Sequence, residues 1–169
     1  MRHISLAARS AATLMAVSLS AASIEFRTFA EIASEADRIV FGEVTSVESF
    51  PGGKRLAKIH VLESWRGPQA RELIIDVSST FACDESTALP GERAVFLLAS
   101  SADSDNLRLA YFGRGRLPVK VIEGDLYVER VWSSDLPEWM AFRVGTPPRF
   151  NDKGRVYAFA DVKRYLVGQ

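Results

Sequence analysis

Apolar and polar positions alternate with two different periods along this chain. In "TFAEIASEA", Phe29, Ile32, Ala33 and Ala36 share one helical face. Thr28 stands three residues before Glu31, the spacing of a capping box. A short amphipathic helix is therefore predicted over 28–36. The period then drops to two. "RIVFGEVTSV" is rich in β-branched residues and reads as a strand, with Gly42 marking a bulge or bend. "PGG" at 51–53 turns the chain. "RLAKIHVLESW" follows, with Ala57, Ile59, Val61 and Trp65 on one face and Lys58, His60 and Ser64 on the other. "RGP" at 66–68 ends that strand, and "ELIIDVSS" is a third. In "PGERAVFLLAS" a turn leads into a nearly all-apolar fourth strand, expected to be buried on both faces or across a barrel.

"DSDN" at 103–106 reads as a turn and "LRLAYFG" as a fifth strand. "LPVKVIEGDLYVERVW" predicts a hairpin turning at Glu123-Gly124-Asp125. From 133 to 154 the periodicity lapses among Pro137, Pro147 and Pro148. Near the end Phe159, Val162, Tyr165 and Leu166 recur on a helical face, with Gly168 placed to stop it. A C-terminal helix is predicted over 158–167. Many short strands separated by turns predict a mainly β fold: a five-stranded barrel or a β-sandwich, with the two helices capping it or packing on its side. Its core is expected over about 36–132, with an irregular aromatic loop over 133–154.

The first 23 residues, "MRHISLAARSAATLMAVSLSAAS", have the order of a secretory signal. Arg2 and Arg9 precede an uncharged run from Ala11 to Leu19, and small residues follow it. That run is shorter than a membrane span of about 20 residues. The chain is expected to be exported, periplasmic or extracellular, after cleavage near residues 22–23. The competing reading is a buried N-terminal helix. Residues 24–169 amount to one domain. The chain holds 21 basic and 21 acidic residues; without Arg2 and Arg9 the balance is 19 against 21, a net charge of −2. That is no footprint for nucleic acid or an anionic membrane. Residues 24–104 carry 13 acids and 8 bases, and residues 105–169 carry 8 acids and 11 bases.

The ordered features from "ADRIVFGEV" (Ala36–Val44) through "WRG" (Trp65–Gly67), Cys83 and "GERAVFLL" (Gly91–Leu98) to "GRLPV" (Gly115–Val119) cover about half of the chain after the signal. In that order they resemble bacterial exported domains related to the netrin-like module and the tissue inhibitors of metalloproteinases. The resemblance implies an OB-type barrel flanked by terminal helices, and a protease-inhibitor-like activity. The eukaryotic inhibitors of this group place a disulfide-bonded N-terminal cysteine on the protease zinc. This chain has no cysteine before Cys83, so that wedge has no counterpart. Cys83 is the sole cysteine in the chain. Three fates are open for it: a buried inert thiol, a bond to another chain, or the remnant of a disulfide framework, as the resemblance implies. A buried or partly buried remnant is the expected one.

Catalytic chemistry finds little support. His60, the one histidine beyond the signal, falls on the polar face of a strand, and no nucleophile motif accompanies it or Cys83. One Cys and one His fall short of a zinc site. Asp103, Asp105 and Asn106 have calcium-type oxygens but lack the glycine and glutamate of an EF-hand loop. Asp76, Asp84 and Glu85 are the carboxylates considered for hydrolysis. "YFGRGR" (Tyr111–Arg116) mixes rings and cations in the manner of single-strand binders, yet reads better as a strand end with a glycine bend. No cofactor and no metal are expected.

The feature of most weight is the aromatic loop. Trp132, Trp139, Met140, Phe142 and Phe150 fall in "VWSSDLPEWMAFRVGTPPRF", and Trp, Met and aromatic residues are enriched at interface cores. Either these rings cover one open end of the barrel or they meet a partner. The leading expectation is an exported, non-enzymatic binding module for an envelope or extracellular protein. A protease-inhibitor-like protein comes second and a carboxylate-dependent hydrolase third.

Overall fold

Thr28 and Glu31 close the predicted capping box. Thr28 Oγ1 accepts the Glu31 N–H at 3.2 Å, and the Glu31 carboxylate accepts the Thr28 N–H at 2.7 Å. Helix α1 (Phe29–Ser34) follows and buries Phe29, Ile32 and Ala33. These contacts come from a computed structural model that describes residues 27–79, 86–101, 104–131, 136–140, 142–144 and 155–168. The predicted signal, Cys83, Asp84, Glu85, Asp103, Trp132 and Phe150 lie outside the described residues.

Five strands close a barrel: β1 (Arg38–Ser49), β2 (Arg55–Arg66), β3 (Glu72–Asp76), β4 (Arg93–Ser101) and β5 (Ser104–Leu109). Their order is β1-β2-β3-β5-β4, and β4 returns to pair with β1. Neighbours run antiparallel except β3 and β5, which pair in parallel at Ile75↔Leu107. This is the OB-like barrel rather than the sandwich. Val40, Val44, Ala57, Ile59, Leu73, Ile75, Ala94, Phe96, Leu98 and Leu109 pack together in one buried cluster. Gly42 sits where the β1–β2 register shifts, and a Cβ there would lie 2.6 Å from Ile59 Cγ2 and 2.7 Å from the His60 carbonyl. The bulge read from the sequence thus lets β1 bend tightly against β2.

The apolar run in β4 has a direct cause. Residues 94, 96 and 98 join the barrel cluster, while Val95 and Leu97 join a second one. Ile39 and Phe41 of β1 do the same. With both faces buried, neither strand has room for alternating polar residues. The second cluster is a side layer. It draws on α1, helix α2 (Phe159–Val167) and the strands β6 (Arg116–Ile122), β7 (Asp125–Glu129) and β9 (Arg155–Ala158), and with β8 (Phe142–Val144) at the edge these strands extend the sheet in the order β4-β6-β7-β9-β8. The helices therefore pack on the side of the barrel. Phe29 of α1 stacks on Tyr165 of α2 at 5.6 Å. Arg66, the last residue of β2, donates to the carbonyls of Ala33 at 2.6 Å, Ala36 at 3.4 Å and Leu166 at 3.2 Å. One guanidinium thereby serves the C-terminal ends of both helices.

Three local expectations need correction. In "DSDN", read as a turn, residues 104–106 belong to β5, which pairs with β4 at Ser101↔Ser104. The fifth strand stops at Leu109. Tyr111, Phe112 and Gly113 then take positive φ values of 47°, 52° and 81°, and position 115 needs glycine because a Cβ there would stand 2.5 Å from the Leu97 carbonyl. Last, the described part of the 133–154 stretch includes a strand, β8, where an irregular loop was expected. β8 and β9 pair at Phe142↔Tyr157, so the end of the chain is strand then helix, with α2 starting at Phe159. The hairpin at Glu123-Gly124 stands as expected, with φ of 54° and 93° in the manner of a type I′ turn.

Candidate interaction surface

Pro137 begins a tight turn that the Met140 N–H closes by donating to the Pro137 carbonyl at 2.9 Å. That turn splits two adjacent candidates. Met140 is only 4% exposed and packs into the side layer, so it anchors the segment and is not a contact residue. Trp139 is 44% exposed. Arg164 of α2 lies over its ring at 3.8 Å from the centroid, and Asp161, one turn earlier, accepts from Arg164 at 3.1 Å. Phe142, on β8, is 48% exposed. Arg155 of β9 lies over it at 4.4 Å, and Tyr157 is 6.3 Å away. Two exposed rings, each backed by a guanidinium, therefore sit three residues apart. Trp132 and Phe150 are the two members of the predicted cluster outside the described residues.

Sequence reasoning missed the arginines. Lys163 and Arg164 were visible as the polar side of α2, but nothing local ties Arg164 to Trp139. The neighbouring pair, Trp65 and Glu63 at the end of β2, was missed for the same reason. The Trp65 indole N–H donates to Glu63 at 2.9 Å, and Lys163 donates to the same carboxylate at 2.6 Å. Trp65 meets Phe159 edge-on at 5.2 Å, and Phe159 meets Phe41 at 4.7 Å. The Lys163 ammonium, with help from the Trp65 N–H, holds the Glu63 carboxyl below its ordinary range.

A carboxyl with a depressed folded pKa contributes stability above its unfolded pKa and loses it as pH falls through the folded one. The docking of α2 on β2 is therefore expected to weaken as pH falls from the ordinary glutamate range, near 4.5, through the lower folded value. Amide exchange in α2 followed against pH reads this out. Glu63→Gln should remove the step, and an unchanged profile in that variant would show that the pair does not tie α2 down.

The other described candidates lie on barrel strands and one turn. His60 is exposed on β2 opposite Glu72, and the Lys58 ammonium pairs with Glu72 at 2.9 Å. Asp76 accepts from the Ser78 N–H at 2.8 Å and shapes the chain after β3. Asp105 lies in the backbone of β5. In "YFGRGR" the rings and cations form a turn in which Arg27 and Arg114 lie over Tyr111 at 5.2 and 5.4 Å. Among the described residues no three His, Cys, Asp or Glu side chains gather as a metal site, and no helix is long and apolar enough to cross a membrane. No protein-family model matches the chain, and no curated protein matches it either.

Proposed function

We propose that this chain is an exported, non-enzymatic binding module that engages a protein of the envelope or extracellular space through the surface of Trp139 and Phe142. The observation that carries this reading is the pair of large rings, Trp139 and Phe142, left half exposed on either side of the buried Met140. Tryptophan is among the residues enriched at interface hot spots. The export signal in the sequence supports the location. The closed barrel with flanking helices fits the netrin-like resemblance, and this keeps a protease-inhibitor-like role as the second reading.

The test places a photo-crosslinking residue at 139 in the exported chain in its own host. One partner species of defined mass is expected. Trp139→Ala should weaken its binding by about 30-fold, the loss of a 2 kcal/mol hot spot. A correctly folded Trp139→Ala chain that binds as tightly as the parent would refute the reading.

A further inference from the structure

We infer that the partner presents an acidic peptide segment, whose carboxylates are received by Arg155 and Arg164. This rests on the binding reading and names its chemistry. Each guanidinium lies over an exposed ring, at 4.4 Å for Arg155 on Phe142 and 3.8 Å for Arg164 on Trp139. A guanidinium stacked on a ring spends its face there, while its N–H donors point outward in the plane of the group. Those donors match the two oxygens of a carboxylate. Holding the side chain against a ring also removes part of the ordering cost that binding would otherwise carry.

The two cations differ in what already occupies them. Asp161 takes one nitrogen of Arg164, leaving the rest of its fork. Arg155 has no carboxylate at ion-pair distance among the described residues. Within 136–140, 142–144 and 155–168 the sequence places Arg143, Arg155, Lys163 and Arg164 against Glu138 and Asp161. Glu63 neutralises Lys163. The surplus of positive charge thus falls on the arginines beside the rings. Trp139 and Phe142 are three positions apart, so their Cα atoms are within about 11 Å. Acidic residues two apart on an extended peptide are spaced by about 7 Å. An extended acidic peptide thus has its carboxylates at a spacing of the same order as the separation of the two ring-bearing positions.

The experiment measures binding of dye-labelled decaglutamate to the full chain at low salt, with decaserine and oligothymidylate as controls. Decaglutamate is expected to bind at least tenfold tighter than decaserine. An Arg155→Gln/Arg164→Gln double variant should lose that preference with unchanged circular dichroism. The matching double lysine variant should keep only part of it, because charge remains while the stacked fork is gone. Equal binding of decaglutamate and decaserine overturns the inference, as does a glutamine variant that binds like the parent. Tighter binding of oligothymidylate overturns it in favour of a phosphate ligand. Self-association abolished in the glutamine variant overturns it in favour of a second copy. If the species crosslinked at 139 persists in the glutamine variant, the acidic segment is wrong while the binding surface stands.

Discussion

Phe96→Ala is expected to destabilise the protein by about 3–5 kcal/mol, the range for truncating a fully buried phenylalanine. Phe96 has no exposed surface and points into the barrel from β4. It stands opposite Val40 on one side and Arg116 on the other. Around it lie residues from all five barrel strands, so no single element can shift inward to fill the space. Leu97→Ala, on the opposite face of the same strand, is the informative companion. Its cavity opens toward α1 and α2 instead. Urea unfolding gives the size of both losses. Amide exchange gives their location: β3 and β5 for Phe96, the helices for Leu97. A loss below 1 kcal/mol for Phe96→Ala would mean that the barrel is not closed around it.

Arg66→Met is expected to cost about 2–3 kcal/mol, since hydrogen bonds from a charged donor contribute more than neutral ones and three part-buried carbonyls would lose that donor. Methionine keeps much of the apolar stem and removes the donors. Three carbonyls lose them: Ala33 and Ala36 around the end of α1, and Leu166 in the last turn of α2. The last turn of α1 contains no basic residue of its own, so the cation its C-terminal dipole favours comes from β2. Arg66→Lys should recover less than half of the loss, because one ammonium does not reach both helices as a fork does. Exchange in both helices should accelerate together. Independent behaviour of the two, or a change in urea midpoint too small to measure, would show that they are held by packing alone.

What was legible in the sequence was whatever short-range chemistry decides. Thr28 and Glu31 announce α1 because the box needs only four residues. Glu123-Gly124 announces its turn because few residues accept two positive φ values. β4 announces itself because both of its faces are buried. β8 and β9 did not, because three- and four-residue strands exist only through the partners they pair with. "DSDN" misled for the same reason: its polarity is local, and its ladder partners are not. At the candidate surface the aromatic cluster was visible, but adjacent Trp139 and Met140 looked equivalent until one backbone hydrogen bond turned them apart. The arginines over the rings were invisible, since Arg164 is 25 residues from Trp139. Arg66 was equally silent, a strand-end cation with acceptors on two distant helices.

The stacking of Phe29 on Tyr165 also sets an order of events during synthesis. α1 precedes the barrel strands in the chain and α2 follows them, so the apolar face of α1 can meet residues of β1 and β4 before Tyr165 has been made. Contacts between such distant parts of a chain form late, because a long loop must close before they repay its entropy. Once the barrel has formed, Ile39, Phe41, Val95 and Leu97 give Phe29, Ile32 and Ala33 a surface to pack on, and the arrival of Tyr165 completes the cover from the far end of the chain.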